Sequence, residues 1–79
     1  MPVFFFDTDD GQTTFRDDVG TELPDQEAAR DEASHALAEL AKEYLPGGAP
    51  QKNITMWVRD QNGEAVMQLA LSFAVKALT

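Results

Sequence analysis

The sequence predicts an α+β fold in the order ββαββ: a four-stranded, mainly antiparallel sheet with one helix packed on one face. Three observations predict it. An aromatic run, Val3-Phe4-Phe5-Phe6, leads through Asp9-Asp10-Gly11-Gln12 into a second short strand, Thr13-Thr14-Phe15-Arg16. Leu23-Pro24-Asp25 opens an alanine-rich segment with helical spacing. Asn62-Gly63 separates two strands whose apolar residues face each other.

The first hairpin is placed at residues 2–17. Asp10-Gly11 suits the two positive-φ positions of a type I′ turn. Centring the turn there pairs Phe6 with Phe15, Phe5 with Arg16 and Phe4 with Asp17. Side chains alternate along a strand. Phe4, Phe6 and Phe15 then share one face, and Val3, Phe5, Thr14 and Arg16 the other.

The helix is placed at residues 26–45. Pro24 holds Leu23 extended. Asp25 can accept the free amides of the first turn, and Asp25 and Glu27 complement the helix dipole. Ala29, Ala33, Ala36, Leu37, Leu40, Ala41 and Tyr44 recur at helical spacing, opposite Arg30, Asp31, His35, Glu39, Lys42 and Glu43. The stripe is mostly alanine, so the helix should lie close to its sheet. Leu45-Pro46-Gly47-Gly48 ends it, because proline cannot continue a helix and glycine suits a left-handed cap. Residues 46–53 are expected to be a loop.

The second hairpin is placed at residues 54–76. A two-residue turn at Asn62-Gly63 pairs Val58 with Met67, Met56 with Leu69 and Ile54 with Leu71, with Phe73 and Val75 extending that face. The other face sets Trp57 opposite Gln68 and Thr55 opposite Ala70. A three-residue loop, Gln61-Asn62-Gly63, ending in a bulge would instead pair Trp57 with Met67 and mix the faces. The pattern favours the first register, since a one-residue slip turns a whole apolar set outward. Strand order stays open. The order second, first, third, fourth would make every neighbour antiparallel.

The chain has 79 residues, consistent with one domain over 1–79, and no cysteine. Ordering it costs on the order of 100 kcal/mol, which so small a core barely offsets. Self-association is therefore expected to matter. The net charge is −8, and the basic residues Arg16, Arg30, Lys42, Lys52, Arg59 and Lys76 form no stripe. That balance repels phosphate backbones and anionic lipid, so neither nucleic acid nor membrane is an expected partner. No basic leader or long apolar run precedes the first strand, and the expected location is cytoplasmic.

These residues resemble a family of small uncharacterised bacterial proteins, a domain of unknown function common in alphaproteobacteria. Its pattern is matched here by Met1 to Phe6, Asp10-Gly11, Asp17 to Asp25, Ala28 to Ala33 and Val58 to Gly63. The resemblance covers nearly the whole chain and implies no activity, cofactor or site residue. Val3 departs from it, standing where members often carry a basic residue. A looser likeness is to HicB-type antitoxins, also small and acidic with an early hairpin and an alanine-rich helix. One of their early strands and their glycine-cysteine turn are missing here, so the likeness is one of topology.

The candidate chemistry is sparse. Asp7, Asp9, Asp10, Asp17 and Asp18 crowd the first hairpin. A calcium loop starting at Asp7 would need glycine where Gln12 stands, so turn chemistry is the better account and no metal site is expected. His35 should face solvent beside Asp31, with no partner to make it a base. Ser34 points away from His35 on a helix, and Ser72 lies in a strand without a second histidine. No phosphate loop, dinucleotide fingerprint or zinc spacing is present. Neither catalytic nor cofactor-binding residues are expected, and the chain is not read as an enzyme.

The outer sheet face carries the functional expectation. Phe5, Arg16, Trp57 and Gln68 should form an interaction surface, with Arg16 stacked on Phe5 or Trp57. The expected partner is another protein or a second copy in a homodimer. The alternatives are an antitoxin-like or regulatory protein that masks a basic partner, and a small-ligand or metal-binding module.

Overall fold

Alternation along Gln51–Arg59 builds the centre of the sheet: Ile54, Met56 and Val58 are buried beneath the helix, while Thr55 and Trp57 point the other way. The computed structural model describes residues Met1–Thr79. Its elements are β1 (Val3–Asp9), β2 (Thr14–Phe15), β3 (Thr21–Glu22), α1 (Gln26–Tyr44), β4 (Gln51–Arg59) and β5 (Ala65–Ala74). The sheet has five strands in the order β2-β1-β4-β5, with β3 also paired to β1. Every pairing is antiparallel. This is the expected α+β class with one extra strand, because the chain leaves β1 after β2 and returns to it as β3.

The core joins Phe4 of β1, Ile54, Met56 and Val58 of β4, and Ala29, Ala33 and Leu37 of α1. Ala29 and Ala33 are wholly buried, so the alanine stripe does bring the helix close to the sheet. Asp25 caps α1, its carboxylate accepting the Ala28 amide at 2.8 Å. Tyr44 ends the apolar stripe half-exposed, with the Lys52 ammonium 5.7 Å from its ring centre.

Three expectations about the connections are corrected. The first turn is wider than a two-residue turn at Asp10-Gly11. The pairs are Thr8–Phe15 and Asp9–Thr14, two residues from the expected register. The Asp10 carboxylate accepts the Gln12 and Thr13 amides and so closes a longer loop. An even shift preserves faces. Phe15 therefore stays on the helix side, but it moves to the end of the sheet and is 65% exposed.

The second turn combines both readings of the sequence. Gly63 donates its amide to the Asp60 carbonyl, Asp60 donates to Glu64, and the loop is Gln61-Asn62-Gly63. Only Gly63 takes positive φ (+84°), so Asn62 does not form the type I′ turn. The Asp60 carboxylate, accepting the Asn62 and Glu64 amides, fixes the longer loop. Yet Val58 pairs with Met67, Met56 with Leu69 and Ile54 with Leu71, as the apolar pattern requires. A bulge at Val58/Arg59 restores the register. It places an extra residue, Val66, on β5 between the Arg59–Ala65 and Val58–Met67 pairs.

The expected loop at 46–53 is shorter, because β4 starts at Gln51, where Gln51 and Lys52 pair with Ala74 and Phe73. The ladder continues one step further through the Val75 amide, which donates to the Pro50 carbonyl at 2.7 Å.

Candidate functional site: the outer face and the free edge

Strand pairing places Phe5 beside Arg59 and Asp7 beside Trp57 on the face away from α1. The Arg59 guanidinium lies 4.8 Å from the Phe5 ring centre. Its Nε donates to Asp7 Oδ2 at 2.6 Å and its Nη2 to Asp7 Oδ1 at 3.1 Å, a two-pronged ion pair. Nη2 also donates to the Asp17 carbonyl at 2.9 Å. The two charged side chains are only 12% and 14% exposed, so this pair is shielded well beyond an ordinary surface contact.

Asp17 repairs the gap between β2 and β3. Its Oδ2 accepts the Phe6 amide at 3.1 Å, and its Oδ1 accepts the Val19 and Gly20 amides. The Asp17 amide in turn donates to Asp7 Oδ1 at 2.9 Å. Gly20, at φ +80°, lies so close over the sheet that a Cβ would come within 2.6 Å of Val3 and 2.9 Å of Phe5. The loop thus covers part of the face that alternation alone leaves open.

The electrostatics follow from these contacts. The hydrogen bond from Arg59 holds Asp7 below the usual carboxylate value, outweighing burial. Burial pushes Asp17 up, but the Gly20, Phe6 and Val19 amides together bring it below that value. The Thr13 and Gln12 amides lower Asp10. Asp9 accepts from the Gly11 amide and the Thr14 hydroxyl. The hairpin carboxylates thus serve as turn and ladder acceptors.

Of the four residues expected on an interaction surface, Trp57 and Gln68 meet as predicted, with Trp57 Nε1 donating to Gln68 Oε1 at 3.0 Å. Phe5 is taken up by Arg59 and the Gly20 loop. Arg16 does not stack on either ring. It is exposed, 3.9 Å from Asp18. The last β2 pair is Thr8–Phe15, so Arg16 falls short of Phe5, whose cross-strand neighbour is Arg59. Arg16 and Trp57 do line one shallow concavity of about 290 Å³ with Asp7, Thr14, Arg59 and Ala65. Sequence reasoning missed Arg59, although its parity with Trp57 puts both on one face. The open strand order hid its pairing with Phe5. It also missed a helix-side groove of about 410 Å³, where Phe15 and Tyr44 flank Leu40 and Ile54.

The sheet's other edge is built differently. β5 is ten residues long, Ala-Val-Met-Gln-Leu-Ala-Leu-Ser-Phe-Ala, with no charge and no proline. Val75 donates toward β4, so alternation along an antiparallel ladder turns the amides of Phe73, Leu71, Leu69 and Met67 the same way. The amides and carbonyls of Gln68, Ala70 and Ser72 therefore point off the sheet, where no strand follows. Their side chains are exposed on the outer face, while Leu69, Leu71 and Phe73 are half-buried on the helix side.

Comparison with known families adds one match. Residues 3–72 match the family described as a domain of unknown function (DUF6894). The chain belongs to that family. The DUF6894 match takes in β1 through β4, the helix and most of β5. No curated protein and no solved structure matches the chain. No helix is long and apolar enough to cross a membrane.

Proposed function

We propose that this chain is a non-catalytic protein-interaction domain that works by strand addition at its free sheet edge. The observation that carries the reading is β5: a long edge strand, without charge or proline, whose outward backbone groups have no partner in the chain. Proteins usually blunt such an edge with charges, proline or shortness, because it templates pairing with another chain. An extended segment added there gains main-chain hydrogen bonds, and alternate side chains supply specificity. Trp57 and Gln68, on the outer face just behind the edge, and Arg16 and Phe5 beyond them, form the flank of that surface.

The alternative of an acidic mask for a basic partner is less well supported. Asp7 is paired with Arg59, and Asp9, Asp10 and Asp17 accept bonds within the chain. On the sequence pattern and charge balance we place the protein in a bacterial cytoplasm, without nucleic-acid partners.

The test compares the wild type with Ala70→Lys, which charges the edge without touching the helix side. The variant should fold normally by circular dichroism and lose the complexes the wild type forms, with itself or with proteins from its native lysate. Complexes that survive Ala70→Lys but vanish in Trp57→Glu would overturn the edge reading in favour of the outer face.

A further inference from the structure

We propose that the occupant of the free edge is a second copy of this chain, its β5 running antiparallel to the first about a two-fold axis through Ala70. This rests on the strand-addition reading and names its partner.

The sequence of β5 is nearly symmetric about Ala70. Reading outward, leucine faces leucine (Leu69, Leu71), an uncharged polar pair follows (Gln68, Ser72), and then a large apolar pair (Met67, Phe73). A two-fold axis through one residue of an antiparallel pair sets each residue opposite its mirror position. Ala70 then meets Ala70 of the second copy, and Gln68 meets Ser72. These residues carry the outward amides and carbonyls, so each pair exchanges both of its hydrogen bonds. On the helix side Leu69 meets Leu71 and Met67 meets Phe73, which extends the apolar face across the junction. On the outer face only alanine, serine and glutamine side chains meet.

Charge favours the same edge. The chain carries −8, so two copies repel unless they meet where charge is absent or opposed. β5 is free of charge, and the nearest charges beyond its ends are Glu64 and Lys76. The extra residue Val66 at the bulge turns Glu64 back toward Asp60, just past the end of β4, so the symmetric match runs from Met67 to Phe73 and leaves Glu64 outside the junction. Moving the axis one residue either way keeps the faces but sets Gln68 opposite Ala74 or Ala70. Of these registers, the one through Ala70 alone matches apolar with apolar and polar with polar.

The experiment measures the mass of the full chain by sizing with light scattering across a concentration series. The wild type should reach a dimer. A70P removes an amide that has no acceptor within the chain, so it should keep the wild-type circular dichroism spectrum and run as a monomer. A70K and A70E each set like charges face to face across the axis and should weaken dimerisation about tenfold or more at low salt. An equimolar mixture of the two should recover the dimer. That recovery carries the test if A70P fails to fold, since the Ala70 side chain is exposed on the outer face. A wild type that stays monomeric at high micromolar concentration overturns self-pairing while leaving strand addition to another partner standing. A dimer that persists in a folded A70P, or no recovery in the mixture of A70K and A70E, also overturns it.

Discussion

The two edges of this sheet solve the same problem in opposite ways. At the β1 edge the neighbouring strands are two residues each, β2 and β3, and the chain between them lifts away. Carboxylates take over there: Asp17 accepts the Phe6 amide, and Asp7 accepts the Asp17 amide while holding Arg59. At the β5 edge a ten-residue strand carries no carboxylate, and its polar side chains, Gln68 and Ser72, are bonded to Trp57 and Asn53 of β4. One edge is finished by its own polar groups; the other keeps a row of backbone groups directed outward. The difference teaches where the protein can afford contact. A short, charged, interrupted edge resists a further strand, whereas a long uncharged one invites it.

The comparison breaks most severely at Arg59. Arg59→Ala leaves Asp7 shielded and without its cation, and should cost about 3 kcal/mol of unfolding free energy. A urea midpoint within error of the wild type would mean that the ion pair does not hold the β1 edge. Gly20→Ala should cost about 2 kcal/mol, because positive φ and a close approach to Val3 and Phe5 act together. Gly63→Val, by contrast, meets nothing within 4 Å, so only its φ of +84° resists the new side chain, and about 1 kcal/mol is expected. Equal losses at the two glycines in thermal melts would show that the Gly20 loop does not press on the sheet.

A smaller, graded effect separates the edges by pH. Asp7 and Asp17 have folded values below the ordinary 3.8, so they bind protons more weakly when folded than when unfolded. Their stabilisation is present above that value and is lost as pH falls through the lower folded values. No titratable side chain lies between Glu64 and Lys76. Hydrogen exchange followed below about pH 4 should therefore show the Phe6, Val19 and Gly20 amides losing protection before those of Leu69 and Leu71. Simultaneous loss along both edges would argue against a local carboxylate effect.

The contrast also sorts what was readable in the residues. The pairing of β4 with β5 was legible because apolar alternation admits one register, and the structure keeps it even though the turn is a residue longer. Helix placement and its close approach were legible from Asp25 and the alanine stripe. The first hairpin was not legible in detail. Asp10 and Asp17 each accept amides through geometry that depends on how far the chain has already bent, and a Gly11 turn of either length fits the sequence. The candidate site divided likewise. Trp57 and Gln68 meet because they are cross-strand neighbours within one hairpin. Arg59 and Phe5 meet because β4 lies beside β1, a relation between distant segments.

By itself, then, the sequence determined what short-range periodicity and local capping can specify: one capped helix, two hairpins, the apolar face of each strand, and a charge-free β5 almost symmetric about Ala70. Only the tertiary structure decided that Arg59 rather than Arg16 stacks on Phe5, that β3 exists, that the Gly20 loop covers part of the outer face, and that β5 rather than β4 is left at the edge. Each of those depends on strand order, which is set by how the whole apolar surface closes over the core and is written in no single stretch of the chain.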